Sequence, residues 1–320
     1  MKERRAIIWI RPDQTEMIRK TAAKACLKTV AAGSGKTGQS SGVARDLEAD
    51  SAIDDMRQAL AEVPADLILL GDISGIDPPV ITYLRKLQNQ GIKVFSLEPL
   101  PGTLMEMTEI EERGAAELLP MMRHSPGFIA AESLLESFGE IRCVNISFRA
   151  GTGEGSLAAR LFSAFDIIER LCGTPETIDA VLVGNTGSIP EKLPGINGHL
   201  TANLRYADNQ AACIAVSDQA GKWSRGVTIL GEGGCLRVDD IAAEWIGLDG
   251  NIVDEAVTTE ISDLSDLLAK HVDRALNTTS TVIPPPRHAT ILALCEAALL
   301  SARTGQSESP LKMLKMVAGS

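Results

Sequence analysis

A short run of small and basic residues, Gly33-Ser-Gly-Lys-Thr, has the composition of a phosphate-binding loop. The Walker pattern has Gly, four residues and then Gly-Lys-Ser or Gly-Lys-Thr, so that backbone amides and a lysine hold the phosphates. Here Gly35-Lys36-Thr37 supplies the end of the pattern, but its first position is Val30. The Gly-Gln-Ser-Ser-Gly run that follows is also a poor start for a helix whose amides would face phosphates. A flexible Gly/Ser loop is the alternative interpretation, and it fits these residues better.

The connection between the first predicted strand, 6–10, and the first predicted helix, 15–27, is a second place for phosphate chemistry. A dinucleotide-binding unit needs Gly-x-Gly-x-x-Gly there, so that the pyrophosphate can approach the backbone. The three glycine positions hold Arg11, Asp13 and Glu16. Two carboxylates would repel phosphates, which predicts weak or absent dinucleotide binding. The alternative is a structural turn with Asp13 as the N-cap residue and Glu16 completing a capping box.

The residues with metal or thiol chemistry are scattered along the chain. The six cysteines form no Cys-x-x-Cys pair, and the four histidines show no ligand spacing with each other or with cysteine. We therefore predict no metal site, and we interpret the cysteines as free thiols of a reducing compartment.

A βαβ unit at 65–101 would position these candidates. Leu67–Leu70 is a continuous apolar run ended by a Gly-Asp pair, which suits a strand buried on both faces. Two prolines open a predicted helix at 80–90, and Lys93–Leu97 is the next predicted strand. The crossover implies a parallel sheet, with ligands at the carboxyl ends of its strands. Further helices are predicted over 43–62 and 104–122.

The second half of the chain predicts a different architecture. Glu140–Arg149 is typical of a strand, and Ser156–Cys172 is a helix with an apolar stripe. Between 178 and 238 apolar and polar residues alternate, which indicates an antiparallel sheet with helices on one face. The predicted fold class is therefore α/β: an N-terminal Rossmann-like parallel sheet domain plus a C-terminal α+β domain with a mostly antiparallel open sheet. Two last helices are predicted at 262–276 and 287–304.

Composition restricts the classes of function. The chain has 320 residues, 44% hydrophobic and 23% charged, which is typical of a globular protein with two domains. The net charge of −11 argues against nucleic-acid binding. No apolar run approaches the roughly 20 residues that span a bilayer, and the N-terminus has no signal-peptide core. We expect a cytoplasmic protein that binds neither nucleic acid nor membrane.

Leu97-Glu98-Pro99 and Arg123-His-Ser-Pro126 resemble segments of the Gfo/Idh/MocA family of nicotinamide-dependent sugar and polyol oxidoreductases. In that family a strand ends Glu-Lys-Pro, and an Arg-x-Ser-Pro segment lies beside the substrate cleft. The resemblance covers roughly residues 60 to 305. It implies a Rossmann-like domain at 1–122 with the last helix, 287–304, packed back on it, a sheet domain at 123–283, and a tail at 305–320.

The long helix of the second half aligns with the family's most specific motif, Gly-x-x-x-Asp-x-Gly-x-His-x-x-Asp. This chain keeps both ends of the motif, Gly155 and Asp166. The catalytic Asp and His positions hold Ala159 and Ser163, and the position of the family lysine holds Glu98. Hydride transfer to or from an alcohol needs a group that takes or gives the hydroxyl proton. Alanine cannot do this, and an unassisted serine does it poorly.

The resemblance also implies where ligands would lie. Substrate-cleft candidates are Arg123, His124, Arg149 and Glu154. Candidates for cofactor binding are Arg11, Ser34, Lys36, Asp72, Ser74 and Pro99. Of these, Ser34 and Lys36 follow a short predicted second strand, 28–32, where Rossmann enzymes hold the adenosine ribose and where a 2′-phosphate would bind.

Three functional hypotheses follow. The leading one is a pseudoenzyme of this family that needs no cofactor and acts as a binding or partner subunit. It would form a homo- or hetero-oligomer through the C-terminal sheet and keep a small-molecule ligand in the interdomain cleft. The main alternative is an active NAD(P)-dependent oxidoreductase of a sugar- or polyol-like substrate, with substituted residues or an active site shared with another chain. The third is a small-molecule sensor that keeps the cleft without the chemistry.

Overall fold

The computed structural model describes residues 3–107, 114–151, 153–184, 188–258, 261–277 and 283–318. The chain divides into two units. The first comprises Met1–Pro101, Gly114–Pro120 and Ser262–Pro284, and the second comprises Gly102–Arg113, Met121–Ile261 and Pro285–Ser320. Two helices fall in other units than the predicted domains: the helix near 264–277 belongs to the first unit, and the helix near 288–304 belongs to the second.

The first unit is built on a parallel sheet. Its strands are β1 Arg4–Trp9, β2 Leu27–Gly33, β3 Ala52–Ile53, β4 Leu67–Leu70, β5 Lys93–Ser96 and β6 Glu117–Leu118. Its helices are α1 Thr15–Lys24, α2 Ser40–Asp46, α3 Met56–Glu62, α4 Pro78–Asn89 and α7 Leu264–Asn277. The strand order is β3-β2-β1-β4-β5-β6, and every neighbouring pair is parallel. The order reverses between β1 and β4, and such switch points are where open parallel sheets bind ligands.

The predicted βαβ unit is confirmed, and its local chemistry explains it. All four residues of β4 are at most 2% exposed. Helix α4 begins at Pro78, and the carboxylate of Asp77 caps it by accepting the amide of Val80 at 3.1 Å. The apolar face of α4, with Leu84, packs into the same core as Leu70. This packing fixes β4 and β5 side by side, so that their carboxyl ends lie at one edge of the sheet.

Polar contacts attach α7 to the rest of the first unit. The ammonium of Lys24 in α1 lies 2.7 Å from Asp266 Oδ1. In the middle of α7, His271 Nε2 lies 2.8 Å from Glu117 Oε1 in β6. Burial opposes ionisation of Glu117, but the contact with His271 and the charges of Lys93 and Arg274 together outweigh it and lower the pKa of that carboxyl. These contacts explain why a late helix of the chain belongs to the first unit.

The second unit is built on a mostly antiparallel sheet. Its strands are β7 Ile141–Arg149, β8 Thr177–Val183, β9 His199–Arg205, β10 Ala211–Ser217, β11 Ser224–Gly231, β12 Gly234–Asp239, β13 Ala242–Ile246 and β14 Ile252–Val257. Its helices are α5 Pro126–Phe138, α6 Leu157–Cys172, α8 His288–Thr304 and α9 Pro310–Ala318. The order is β14-β13-β12-β11-β7-β10-β9-β8, and β7 with β10 is the parallel pair. The predicted fold class is confirmed.

One face of this sheet packs on helices, and we call the other the open face. On β9, Leu200, Ala202 and Leu204 are at most 2% exposed, whereas the alternating Thr201 and Asn203 are exposed. Helices α6 and α8 pack on the buried side, against β10 and β8 respectively. The predicted alternation is therefore confirmed on this strand, and the open face carries small and polar side chains.

Two predicted helices are wrong. The segment 43–62 forms α2, β3 and α3, because Glu48 has a φ of 53° that ends the first helix, and Asp55 starts a new one by accepting the amide of Arg57 at 2.8 Å. In the segment 104–122 the structure has short 3₁₀ turns at Leu104–Glu106 and Met122–His124, with β6 between them. Residues 108–113 of that prediction lie outside the described residues. None of the described helices is long and apolar enough to cross a membrane.

Gly127 in α5 tests the packing of this helix on the sheet. A Cβ there would lie 2.2 Å from the carbonyl oxygen of Asp239, so Gly127→Ala forces α5 away from β12 and β13. We expect the free energy of unfolding to fall by about 1–3 kcal/mol. Gly42→Ala in α2 is the matched control, since no atom lies within 4 Å of its Cβ, and it should be neutral or stabilise by up to ~1 kcal/mol. Urea unfolding followed by circular dichroism measures both, and equal effects would contradict the packing.

Candidate functional site

The carboxyl edge of the parallel sheet gathers most of the predicted cofactor residues. Arg11 follows β1, Ser34 and Lys36 follow β2, Asp72 and Ser74 follow β4, and Glu98 and Pro99 follow β5. Among them Ser34, Asp72, Glu98 and Pro99 are buried, whereas the side chain of Lys36 is exposed. The topology therefore brings the predicted residues to one place, as the parallel order requires.

Asp72 connects two loops of this edge. Its carboxylate is 3% exposed and accepts the amides of Gly35 at 3.2 Å and Ser74 at 2.9 Å. The hydroxyl of Ser74 also donates to it. A Cβ at Gly35 would lie 2.7 Å from Ser74 Oγ and 2.9 Å from Asp72 Oδ2, so a larger residue there would displace the side chains of Ser74 and Asp72. Asp72 thus holds the loop after β2 against the loop after β4.

Arg11 and Glu98 form the charged part of the edge. Arg11 Nη1 lies 3.7 Å from Glu98 Oε1 and donates to the carbonyl of Gly71 at 3.3 Å. Arg11 Nε lies 3.3 Å from Asp13 Oδ1. Glu98 is 5% exposed, and its own amide donates to Ser96 Oγ at 3.0 Å. The guanidinium of Arg11 therefore pairs with two carboxylates, those of Asp13 and Glu98, and these three residues together carry a net negative charge.

The turn between β1 and α1 is closed by its own residues. Pro12–Gln14 is a 3₁₀ turn, in which the amide of Gln14 donates to the carbonyl of Arg11 at 3.0 Å and the amide of Thr15 donates to the carbonyl of Pro12. The side chain of Gln14 is fully buried, and its Oε1 accepts the amide of Arg11 at 3.0 Å. The predicted capping box of Asp13 and Glu16 is wrong, because Gln14 makes the reciprocal bond and Glu16 pairs with Arg19.

This turn does not fit the pyrophosphate of a dinucleotide. A pyrophosphate needs free amides and a backbone that it can approach closely. Here two amides are used within the turn, Pro12 has none, and a Cβ placed on Gly71 would lie 2.6 Å from Gln14 Oε1, so the amide side chain occupies the space over that glycine. Gln14 Nε2 is buried without a hydrogen-bond partner among the described residues. The single donor of Gln14 Nε2, next to the carboxylate residue Asp13, does not replace the several backbone amides that bind a pyrophosphate.

Helix α6 carries the residues at the predicted catalytic positions of the second unit. Ala159 is 2% exposed and Ser163 is 3% exposed, and Ser163 Oγ accepts the amide of Met122 at 3.3 Å. Glu154, just before the helix, accepts the amide of Gly151 at 2.6 Å. Arg149 is exposed at the end of β7, and His124 is half-buried in a 3₁₀ turn. Within this unit, the side chains of Ala159 and Ser163 are enclosed by packing.

Arg123 lies in a buried ion pair. Its guanidinium is 3% exposed and donates from Nε to Asp166 Oδ2 at 2.6 Å and from Nη2 to Oδ1. Asp166 in α6 is fully buried. Burial raises the pKa of Asp166 to about 6, and the charge of Arg123 opposes that rise. The pair joins the turn before α5 to α6, so Arg123 positions these elements rather than standing free in a cleft.

A second buried cationic cluster has no counterpart in the sequence analysis. Arg160 in α6 and Arg225 in β11, each 3% exposed, lie 4.2 Å and 5.0 Å from the ring centre of Trp223. Asp240 accepts Trp223 Nε1 at 2.7 Å and Arg225 Nε at 2.8 Å. Two arginines on one indole ring stabilise the end of the sheet through cation–π contact. In the sequence, the signal for this cluster is a basic residue, Arg160, within the apolar stripe of α6. Its partner Trp223 is more than sixty residues away, so the contact could not be predicted.

The comparisons with known proteins agree in fold. No protein-family model matches the chain, and no curated protein matches its sequence. An oxidoreductase from Agrobacterium radiobacter, solved with NAD+, L-tartaric acid and magnesium, is 15% identical with a TM-score of 0.69, over 98% of this chain and 100% of its own. A levoglucosan dehydrogenase, solved with NADH and levoglucosan, is 10% identical with a TM-score of 0.72, over 96% and 99%. An NAD-binding oxidoreductase from Klebsiella pneumoniae is 13% identical with a TM-score of 0.69, over 96% and 98%.

The chain therefore has the fold of NAD-linked oxidoreductases. These matches extend over both units, including the first sixty residues, where the sequence resemblance was poor. At these identities the likeness concerns architecture. The resemblance to the Gfo/Idh/MocA group is confirmed at that level.

The Arg123–Asp166 pair gives a stability prediction. Arg123→Met leaves a buried carboxylate without its cation, and we expect the free energy of unfolding to fall by about 3–5 kcal/mol. The double variant Arg123→Met/Asp166→Leu removes both charges and should recover most of that loss.

The exposed pair of Arg45 and Asp46 offers the control for this measurement. Arg45 is 79% exposed in that pair, so Arg45→Met should change stability by less than about 1 kcal/mol. Chemical denaturation of the four proteins gives the values. If Arg123→Met is as mild as Arg45→Met, the buried pair does not have the structural role assigned to it.

Proposed function

We propose that this chain is a catalytically degenerate oxidoreductase-fold protein that acts as a binding or partner subunit. The observation that carries the proposal is the closed turn between β1 and α1. The amides of Arg11, Gln14 and Thr15 are used within the turn, and Gln14 lies against Gly71 in the space that a phosphate would need. A chain without this phosphate site cannot hold a dinucleotide in the manner of its structural neighbours.

The groups at the family's reacting positions support the proposal. A hydride-transfer site needs a side chain that exchanges the alcohol proton. Ala159 has none, and the hydroxyl of Ser163 already accepts the amide of Met122. Glu98 is a carboxylate beside Arg11, and it would repel the negative charge that develops on an alkoxide oxygen. Glu98 can accept a proton as a base, but its charge disfavours the alkoxide, and neither Ala159 nor Ser163 compensates for this.

The open face of the antiparallel sheet is the surface that we propose for a partner. Its side chains form rows across the strands, such as Asn203, Cys213, Asn145 and Thr228, which are directly opposite one another. At one side of this face Val181 and Val183 are 59% and 63% exposed. Small side chains with apolar residues at the margin suit a flat protein–protein contact. The partner is a second copy or another chain, and a self-pair would be two-fold.

The alternative function is an active NAD(P)-dependent oxidoreductase of a sugar- or polyol-like substrate. The observation that favours it is that structures with the same fold were solved with NAD+ or NADH and with levoglucosan or L-tartaric acid.

For either function we propose that the protein is cytoplasmic, because all six cysteines are free thiols.

Dinucleotide titration separates the two functions. We expect no saturable binding of NADH or NADPH below about 1 mM by calorimetry, because the amides of Arg11, Gln14 and Thr15 are already paired within the turn. The double variant Asp13→Asn/Glu16→Gln removes the two carboxylates and leaves Gln14 in place. Its binding should remain as weak, which distinguishes the closed turn from simple charge repulsion.

A turnover assay provides the opposing outcome. The unmodified protein is tested with a panel of sugars and polyols and both nicotinamide cofactors. Low micromolar affinity for either cofactor would contradict the closed turn and favour the active enzyme. A turnover that disappears in Glu98→Gln would establish that enzyme and end the proposal of a degenerate one.

The partner surface is tested by light scattering of the purified protein. We expect a homo- or hetero-oligomer, and Thr228→Arg should weaken it because the new charge lies in the middle of the open face. Glu136→Arg on the exposed side of α5 is the control and should leave the assembly intact. A strict monomer with no co-purifying chain, or equal effects of the two variants, would count against this surface.

A further inference from the structure

The two edge strands of the antiparallel sheet, β8 and β14, differ in whether another segment of the chain covers them. At the β8 edge, Ile178 and Glu308 exchange backbone hydrogen bonds of 2.8 Å and 2.9 Å, so the segment before α9 covers part of that strand. At the other end of the sheet, no strand among the described residues pairs with the outer edge of β14. Uncovered edges are where another extended chain can add.

The backbone of β14 offers hydrogen-bonding groups at this edge. The amide of Thr258 donates to the carbonyl of Ile241 at 2.8 Å, toward the β13 side. In an antiparallel ladder the groups of successive residues point alternately to the two sides. The amide and carbonyl groups of Val257 and Glu255 therefore point outward, away from β13. A strand that packs along β14 could therefore form backbone hydrogen bonds with Val257 and Glu255.

The hairpin of β13 and β14 exposes apolar side chains that a partner strand would cover. Leu248 is 83% exposed, Ile252 57%, Val253 53% and Val257 65%. Large aliphatic residues concentrated on an open edge mark either an interaction site or an aggregation hazard. On β14 two adjacent carboxylates, Asp254 and Glu255, lie between these aliphatic residues, which keeps the free edge soluble and gives it a charge preference.

The charge on this edge selects the partner. Glu244 and Glu255 are directly opposite each other on β13 and β14, a like-charge pair that costs stability. Arg237 lies opposite Glu244 on the other side, with Nη1 3.4 Å from Glu244 Oε2. These three residues line a groove of about 400 Å³ on the open face. A cation placed beside Glu255 from the outer side would balance the second carboxylate.

A second copy of β14 would not supply that cation. Antiparallel self-pairing centred on Asp254 or on Glu255 places the same carboxylate opposite itself, and the register between them places Asp254 opposite Glu255. No residue of Ile252–Val257 is basic, so no register within the strand places a cation opposite Glu255. Like charges directly opposite each other are destabilising. The edge therefore favours a different chain with basic residues.

We infer that the outer edge of β14 binds an extended segment of a partner protein in which apolar and basic residues alternate, with a basic residue opposite Glu255. Main-chain hydrogen bonds to Val257 and Glu255 provide the affinity, and the carboxylates provide the selectivity. The inference rests on the proposed function as a partner subunit and names the chemistry of the partner.

The probe is a fluorescein-labelled heptapeptide, Thr-Val-Lys-Val-Arg-Val-Thr, titrated with the full chain and followed by anisotropy. We expect saturable binding, and no binding of the peptide in which Glu and Asp replace Lys and Arg. Glu255→Lys should weaken binding about tenfold or more because like charges then face each other. Val257→Pro removes an outward amide on an edge strand, where proline is tolerated, and should weaken binding as well.

Asp179→Lys on β8 is the matched control, since it reverses an exposed carboxylate of the other edge strand, and it should leave binding within about twofold. Circular dichroism melts verify that each variant is folded. The inference is overturned if the wild-type chain does not bind the basic peptide, or if Glu255→Lys and Asp179→Lys weaken binding equally. NADH titration of the same samples keeps the outcomes separate: tight NADH binding with peptide binding contradicts the proposed function alone, and absent peptide binding without NADH binding contradicts this inference alone.

Discussion

The backbone amides between β1 and α1 can be satisfied only once, and this constraint decides what the carboxyl edge of the parallel sheet can do. In a phosphate-binding turn these amides have no partner within the protein and donate to the phosphate when it binds. Here Gln14 and Thr15 donate to carbonyls of the same turn, and the side chain of Gln14 closes it from above by accepting the amide of Arg11. The neighbouring loops follow this arrangement, because Gly71 receives the amide side chain and Asp72 binds the loop after β2. The polar groups of this edge therefore hold its loops together, and two of its carboxylates, Asp72 and Glu98, are buried.

The second unit shows a related use of polar groups. Asp166 is a carboxylate without solvent, so it needs a cation and a donor, and Arg123 provides both. A retained residue of a catalytic motif then has a reason to persist that is independent of any reaction, since removing one partner of such a pair is strongly destabilising. Ala159 and Ser163 lie on the same helix and carry no comparable constraint. Helix α6 can therefore keep a residue needed for packing, Asp166, while the residues at its catalytic positions change.

The sequence was sufficient where short-range chemistry decides the outcome. The apolar run of β4, the Asp-Pro-Pro start of α4 and the alternation on β9 all predict the observed elements, because burial and capping act within a few residues. The sequence was insufficient at 43–62, where a positive φ at Glu48 divides the helix, and at Gln14, whose fit depends on Gly71 nearly sixty residues later. The Arg123–Asp166 and Arg160–Trp223 contacts are likewise products of tertiary packing. Each residue type could be noticed, but its partner could not be read from spacing.

The parallel contact of β7 with β10 has a consequence for how the second unit forms. Strands β8, β9 and β10 follow one another along the chain as neighbours in the sheet, and so do β11 through β14. Strand β7 comes first in sequence and lies between these two groups, with Cys143 opposite Ala211 and Leu230. Each group can assemble from local hairpins, whereas β7 must close loops of sixty residues or more before it pairs. Non-local closure of this kind is entropically costly and slow. The continuity of the eight-stranded sheet thus depends on one late-docking strand.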